Sequence, residues 1–244
     1  MRLSLGSALA AAAALWRAER DLVVRIAGVF YLLPILALAM LASGLELPAQ
    51  ATPEQAFAAF SAYYRANLLW VFALSAALEF GSLALLNLFL QRGFTIRETL
   101  QASALRLLPF FLLGYANGAL IQLAATLFVI PGIYVFGRTW MMGPAYVAEP
   151  ERGLLSAVER GFRLSGGNGW RLALLGIGTV LIAGAAIFLL MIVSRTFVVL
   201  IGDAEWAQAL FLLPVAVAGA AAYVAFTLVR IAAYRRLAGS SNGM

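Results

Sequence analysis

Two residues of opposite charge lie within long apolar segments and are the strongest candidates for chemistry. Glu79 is the one acidic residue in 68–90, and Arg138 is the one charged residue in 133–148. A charged side chain inside a membrane is costly, so it is usually paired, protonated or functional. The pattern favours a structural ion pair between Glu79 and Arg138, because one carboxylate without others makes a poor relay. A proton or cation relay through Glu79 is the functional alternative.

Uncharged polar residues within apolar segments form a second group of candidates. They are Asn87, Asn117 and Gln122. Gly114 and Gly118 add a GxxxG pattern, which lets two membrane helices approach closely. We expect helix packing to be the role of this group. A substrate path would require several of its members to converge.

The composition excludes most catalytic chemistry. The chain has no cysteine and no histidine, and all 17 of its basic residues are arginine. Thiol nucleophiles, disulfides, imidazole acid–base catalysis and most metal sites need residues that this chain lacks. No HExxH, CxxC or phosphate-binding loop motif occurs in the sequence. We therefore expect a protein that is not an enzyme, with no cofactor, no bound metal and no nucleic-acid partner.

Membrane helices are the elements that must position these residues. Hydrophobic residues make up 64% of the 244 positions and charged residues 11%, with a mean hydropathy of +0.93, whereas soluble domains are about 25% charged. A helix crosses a bilayer with about 20 apolar residues. The sequence predicts an all-α polytopic bundle, one integral membrane domain over 1–244, with six spans in three hairpins. The predicted spans are 26–45, 68–90, 107–130, 133–148, 172–194 and 206–229.

The third and fourth spans are separated at Pro131-Gly132, a turn signal in an uncharged stretch that is too long for one crossing. The alternative is a kink in one long tilted helix. Charge placement favours the turn, because a hairpin puts Arg106 and Glu149, which flank the stretch, on one side of the membrane. Prolines are expected to create internal strain points in three of the six predicted spans: Pro34, Pro144 and Pro214.

Arginine placement predicts the orientation of the chain. With six spans, fourteen arginines fall on one side of the membrane, and only Arg65 and Arg195 fall on the other. Cytoplasmic loops carry the excess of basic residues, so we expect both termini to be cytoplasmic and the protein to lie in a bacterial inner membrane. Residues 3–15 also resemble a secretory signal. Cleavage there would tend to place the arginine-rich loops outside, so a helix lying on the membrane is the favoured interpretation.

An amphipathic segment precedes each predicted hairpin and divides the chain into weakly repeated units of about 1–90, 91–150 and 151–236. Amphipathic helices with arginine on the polar face bind the anionic cytoplasmic leaflet. The alternative is that they only pack under the bundle and anchor the ends of the spans. Five arginines are candidate head-group contacts: Arg17, Arg20, Arg97, Arg160 and Arg163.

Local signals predict where several helices begin and end. Thr95 and Glu98 form a capping box, and Thr52 and Gln55 form another in the outer loop. Pro53 suits the first helical position. Gly166-Gly167 is expected to end the third amphipathic helix, and Asn168 can cap the span that follows.

The stretch 127–171 carries a signature in order and spacing. Its residues are Pro131, Gly132, Arg138, Pro144, Glu149, Gly167, Asn168, Trp170 and Arg171. With this signature the chain resembles the YciC-like group of bacterial inner-membrane proteins, and it is also similar to the membrane domain attached to some glycerophosphoryl diester phosphodiesterases. The six-span layout extends the likeness over nearly the whole chain. The resemblance implies no catalytic residue, since the phosphodiesterase activity of those proteins belongs to a separate soluble barrel.

Three functions are compatible with these observations. The leading hypothesis is a non-enzymatic inner-membrane protein that associates with membrane lipids, anionic ones at the cytoplasmic face, or serves as a scaffold or accessory domain for a membrane protein partner. The second is a small transporter or lipid-translocating permease that uses Glu79 and Arg138 within the bundle. An enzyme that acts on membrane lipid is the third, and the missing histidine and cysteine disfavour it.

Overall fold

A computed structural model describes residues 3–45, 50–91, 93–201 and 205–241, and all regular structure in those ranges is helical. Two of the arginines used for the orientation, Arg2 and Arg92, lie outside the described residues. The α-helices in chain order are α1 (Leu5–Ala18), α2 (Arg20–Ala27), α3 (Leu33–Ser43), α4 (Pro53–Ala66), α5 (Leu68–Leu90), α6 (Ile96–Leu127), α7 (Val129–Thr139), α8 (Met142–Ala148), α9 (Gly153–Leu164), α10 (Gly169–Ile201) and α11 (Glu205–Ser241).

Five helical segments in the described ranges are long and apolar enough to cross a membrane. They are Arg20–Ser43, Leu68–Leu90, Ile96–Leu127, Gly169–Ser194 and Leu212–Gly239. The prediction of an all-α fold is therefore confirmed, and these five helices are compatible with a membrane bundle, whereas six spans in three hairpins stays a prediction. The segment predicted as the fourth span, 133–148, is divided between the short helices α7 and α8, and neither has the length to cross a bilayer alone.

Pro34 reshapes the first membrane segment without breaking it. Proline has no N–H to donate, and its ring collides with the carbonyl four residues earlier. The chain accommodates this with a π-helical turn over Gly28–Leu32, between α2 and α3. The helical segment begins at Arg20, six residues before the predicted start of the span at 26.

Both predicted capping boxes are confirmed. Thr95 Oγ1 accepts a hydrogen bond from Glu98 N, and the Glu98 carboxylate accepts one from Thr95 N at 2.8 Å. Thr52 and Gln55 make the same reciprocal pair at the start of α4. The prediction of a separate interfacial helix at the start of the second unit is wrong, however. The amphipathic segment that begins at Ile96 continues directly into the membrane segment, and the two form the single helix α6. Pro109 lies inside this helix and does not end it.

The hairpin between α6 and α7 turns earlier than predicted. Phe128 has an extended backbone (φ −160°, ψ 152°), and Pro131 and Gly132 lie in the first turn of α7. Proline is well accommodated in the first turn of a helix, where its missing N–H has no partner to lose. Gly132 brings α7 against α6, since a Cβ there would lie 2.7 Å from that of Ala125. The kinked single helix is therefore excluded, and the turn precedes the Pro-Gly pair.

The last helix, α11, is the centre of the bundle. It packs against α1, α3, α5 and α10, and its C-terminal half also contacts α8 and α9. One connected core includes buried residues from α1, α2, α5, α6 and α8 to α11. The three predicted units therefore share a core, and their hairpins do not pack as separate bodies.

Candidate intramembrane polar site

A break between α7 and α8 creates the first polar contact of the site. Pro144 has no N–H to offer the carbonyl of Trp140, four residues earlier, so a continuous helix would leave that oxygen without its usual partner. Arg230, from α11, donates a hydrogen bond from Nε to Trp140 O at 2.7 Å. Gly143 makes room for the guanidinium, since a Cβ there would lie 2.5 Å from Arg230 Nη2. The proline and the arginine thus form one structural unit across two helices.

Glu79, on α5, lies in the electrostatic field of the same guanidinium. Arg230 is the positive charge that acts on the Glu79 carboxylate, and Tyr31 and Tyr223 lie near enough for its negative charge to act on them. Within the described residues, no basic nitrogen lies within the 4.0 Å of an ion pair from this carboxylate. Arg230 is therefore a neighbour of Glu79 at longer range.

Tyr31 joins three helical segments at this level of the bundle. Its hydroxyl donates a hydrogen bond to Ser82 Oγ at 3.1 Å and lies 3.4 Å from Thr227 Oγ1. Its ring packs against that of Tyr223 with 5.3 Å between centroids. Gly81 permits this approach, because a Cβ there would lie 2.8 Å from a Tyr31 ring carbon. The result is a polar cluster shared by the first membrane segment, α5 and α11.

The predicted pairing of Glu79 with Arg138 is wrong. The Arg138 guanidinium carbon lies 5.6 Å from the centre of the Phe162 ring on α9. Its aliphatic stem packs against Gly169, and its backbone carbonyl accepts a hydrogen bond from Ser165 Oγ at 2.6 Å. Arg138 is held at the turn between α9 and α10, because the end of α7 crosses the start of α10 there. The positions of Glu79 and Arg138 along their predicted spans did not reveal which helices each side chain would face.

A second buried polar group joins α5 to α6. Asn87 has no exposed surface, and its Nδ2 donates to Ser103 Oγ at 3.0 Å and to Leu83 O at 3.1 Å. Arg106 donates from Nη1 to Asn87 Oδ1 at 3.2 Å. The amide therefore uses both its donor and its acceptor sides, which is what a buried polar group requires. Asn87 acts as a packing residue in this structure.

The other predicted polar residues do not converge on either cluster. Gln122 is exposed on the surface of α6, and Asn117 is half-buried with an Oδ1 that has no hydrogen-bond partner among the described residues. A Cβ at Gly114 or Gly118 would meet nothing within 4 Å. The GxxxG pattern therefore does not bring α6 against another described helix of this chain.

The last residues of the family resemblance lie at the turn between α9 and α10 and at the start of α10. Gly167 has φ +69°, a conformation that favours glycine, and it follows the end of α9 as predicted. Asn168 Oδ1 accepts a hydrogen bond from Leu3 N at 2.8 Å, and Arg171 Nη1 donates to Leu3 O at 3.1 Å. These two side chains clamp the backbone just before α1. The neighbouring Trp170 is 52% exposed.

Glu149 forms a small ionic cluster at the end of α8. It pairs with Arg152 at 3.2 Å and with Arg160, which also hydrogen-bonds to Tyr234. The Arg160 side chain is only 17% exposed. Because it is held between α8, α9 and α11, this side chain presents less surface to a lipid head group than the sequence prediction assumed. The other four candidates stay exposed: Arg17, Arg20, Arg97 and Arg163.

An apolar groove lies on the outside of the bundle between α1, the first membrane segment and α11. It has a volume of about 460 Å³, and its walls include Ala13, Trp16, Val24, Gly28 and Ala221. In the part of the chain that the structure describes, no group of three or more acidic side chains is placed to hold a metal ion.

Comparisons with known proteins found no similarity. No protein-family model matches the chain, and neither a curated protein nor a solved structure matches it significantly.

Proposed function

We propose that this chain is a non-enzymatic integral protein of a bacterial inner membrane that associates with anionic lipids, as an accessory or scaffold domain for a membrane protein partner. The observation that carries the proposal is a division among the arginines. Arg106 and Arg230 donate to Asn87 and to the carbonyl of Trp140 inside the fold, and the more exposed Arg235 donates to the carbonyl of Phe89. The exposed arginines on α1, α2, α6 and α9 present guanidinium groups at the surface, where the exposed pairs of Arg20 with Asp21 and of Arg163 with Glu159 are weak competitors for anionic head groups.

The proposed topology has six crossings, one of which is made by α7 and α8 together. Residues 129–148 comprise twenty positions, which reach about 30 Å as helix and match the hydrocarbon core. The break before Pro144 is compatible with a membrane location, because Arg230 and Ser165 satisfy carbonyls near it. The arginine bias supports cytoplasmic termini, with α1 and α9 on the cytoplasmic side. The YciC-like resemblance supports the same layout.

Lipid-dependent thermal stability tests this function. The purified protein is unfolded in detergent with added phosphatidylglycerol or phosphatidylcholine, since a ligand that binds only the folded state raises its stability. We expect a larger increase with the anionic lipid, and we expect replacement of Arg17, Arg20, Arg97 and Arg163 by glutamine to abolish the difference. Arg65→Gln, on the predicted outer side, is the matched control and should keep it. Equal effects of the two lipids on the unaltered protein would contradict the proposal.

A small transporter is the second candidate, and one observation favours it. Glu79 makes no hydrogen bond or ion pair among the described residues, although it lies in a membrane-length helix beside Arg230, Tyr31 and Tyr223. Glu79→Gln should abolish proton-coupled uptake by reconstituted vesicles if this carboxylate carries protons. If uptake is unchanged and the variant folds normally, Glu79 does not carry protons and its role is structural.

A further inference from the structure

The apolar groove adjoins the junction of α1 and α2, where Arg17 and Arg20 lie. Its floor and walls are small and aliphatic side chains of three helical segments together with the ring of Trp16. Gly28 leaves space in the groove, since a Cβ there would meet nothing within 4 Å. Val24 is 52% exposed and Val217 is 51% exposed. The groove therefore opens outward, where hydrocarbon surrounds a membrane protein.

The size of the groove indicates what can fill it. An apolar cavity of about 150 Å³ holds one benzene molecule. In proportion, the groove of about 460 Å³ accommodates on the order of eighteen carbon atoms. The groove is therefore large enough to hold a single hydrocarbon chain of a lipid.

Two arginines stand at the end of the groove where α1 meets α2. Arg17 lies one turn beyond the wall residue Ala13 on α1, and Arg20 lies one turn before the wall residue Val24 on α2. Both side chains are exposed. Arg17 holds its stem with a hydrogen bond from Nε to Ala13 O at 3.2 Å, which leaves the two terminal nitrogens as donors.

The acidic neighbours do not cancel this corner. Arg20 has an ion pair of 3.6 Å with Asp21, but both side chains are well exposed, so the pair is weak. Glu19, between the two helices, is exposed as well. A phosphate oxygen presents a stronger acceptor to a guanidinium than a solvated surface carboxylate does, because arginine matches phosphate with parallel hydrogen bonds.

We propose that the groove binds one acyl chain of an anionic phospholipid, with its phosphate at Arg17 and Arg20. The inference rests on the lipid association proposed above and adds a defined site and a single bound molecule. The apolar walls alone would accept any lipid tail, because hydrocarbon outside the groove is equally apolar. The two guanidinium groups therefore select an anionic lipid over a zwitterionic one. The shape of the groove holds the acyl chain at the site.

A photoreactive phosphatidylglycerol with a diazirine in its acyl chain tests the site in detergent solution. Crosslinked peptides are mapped by mass spectrometry while unlabelled lipid is added as a competitor. We expect saturable labelling on peptides from 12–32 and 217–229, displaced by phosphatidylglycerol about tenfold more effectively than by phosphatidylcholine, a difference of about 1.4 kcal/mol. Labelling on the outer part of α10 should increase without saturation.

Two glycine variants separate the groove from general lipid contact. Gly28→Leu fills the groove from a helical position and should remove the saturable labelling. Gly184→Leu is the matched control, since that glycine also faces open space on a membrane helix, and it should leave the labelling unchanged. Saturable labelling that persists in Gly28→Leu overturns the groove as the site.

The charged end is tested with Arg17→Gln and Arg20→Gln together. These changes should make the two competitor lipids equally effective while tail labelling remains. Retained preference for phosphatidylglycerol overturns the assignment of the phosphate. The thermal measurement described above keeps the two proposals apart: if anionic lipid still stabilises Gly28→Leu as well as the unaltered protein, the groove is wrong but the lipid association stands.

Discussion

Replacement of Arg230 by methionine removes the contact that joins α11 to the break between α7 and α8. Methionine keeps much of the aliphatic volume but has no donor for the carbonyl of Trp140. It also removes the positive charge beside Glu79. Both interactions lie within the bundle, where water cannot readily replace the lost hydrogen-bond donor or the lost charge. The change should therefore destabilise the protein far more than replacement of an exposed arginine.

The magnitude follows from the two contacts. Loss of a hydrogen bond from a charged donor costs about 1.5–3 kcal/mol. The charge on Glu79 lies beyond 4 Å, so at an effective dielectric constant near 20 its attraction to Arg230 is below about 4 kcal/mol. Removal of one partner of a buried charge pair typically costs about 3–5 kcal/mol in total. For a chain of this length that corresponds to a fall in Tm of roughly 6–20 °C.

Two double-mutant cycles separate the two contributions. Glu79→Gln should reduce the cost of Arg230→Met, because no carboxylate is then left without its neighbouring cation, and we expect a coupling of about 1–3 kcal/mol. Pro144→Ala restores an N–H that can reach Trp140 O from within the helix. In that background the cost of Arg230→Met should fall by about 1–2 kcal/mol.

Intrinsic tryptophan fluorescence during thermal unfolding in detergent measures all of these variants. Arg236→Met is the matched control, since that arginine is exposed on the same helix, and it should change stability by less than about 0.5 kcal/mol. Additive effects in both cycles, or an Arg230→Met variant as stable as the control, would refute the assigned roles of Arg230.

Other contacts lead to three further predictions. Glu79→Gln and Arg138→Met should be additive in stability within about 0.5 kcal/mol, because the two side chains have different neighbours; coupling above that value would restore the pairing. Gly137→Ala should cost about 3 kcal/mol or more by thermal unfolding, since its Cβ would collide with the backbone of α10, whereas Gly178→Ala, in open space, should be neutral or slightly stabilising. Asn168→Ala should increase amide hydrogen exchange in α1, because it removes the acceptor for the backbone N–H just before that helix; unchanged exchange would show that the helix does not depend on this clamp.

Features that depend on neighbouring residues in the chain were predictable from sequence. The capping boxes at Thr52 and Thr95 formed as expected, because both partners of each box lie three residues apart on one turn. The end of α9 before Gly166-Gly167 was also predictable, because a glycine just after the last helical turn ends a helix through local backbone conformation. The turn after α6 was displaced to Phe128, because Pro131 suits the first turn of a helix as well as it suits a loop.

Features that depend on which helices meet were not predictable. Arg230 was counted among the arginines of the cytoplasmic side, at the end of a predicted span, yet its long side chain reaches the carbonyl that Pro144 leaves free. Pro144 was the available signal, since an intramembrane proline implies a carbonyl that needs a donor. The sequence contains many arginines that could supply it, and only the packing of α11 against α8 selects one.

The composition and spacing of the chain determined that it is helical, with several segments long and apolar enough to cross a membrane, few charges and no histidine or cysteine side chains. They did so because membrane solvation and helix capping act on each segment separately. The tertiary structure decided the partners of the charged residues: Arg230 beside Glu79, Arg138 over Phe162, and Arg160 against Glu149. These partners depend on the distances between helices that are far apart in sequence. An arginine side chain is long enough to reach several possible partners, and the packing of the helices decides which one it contacts.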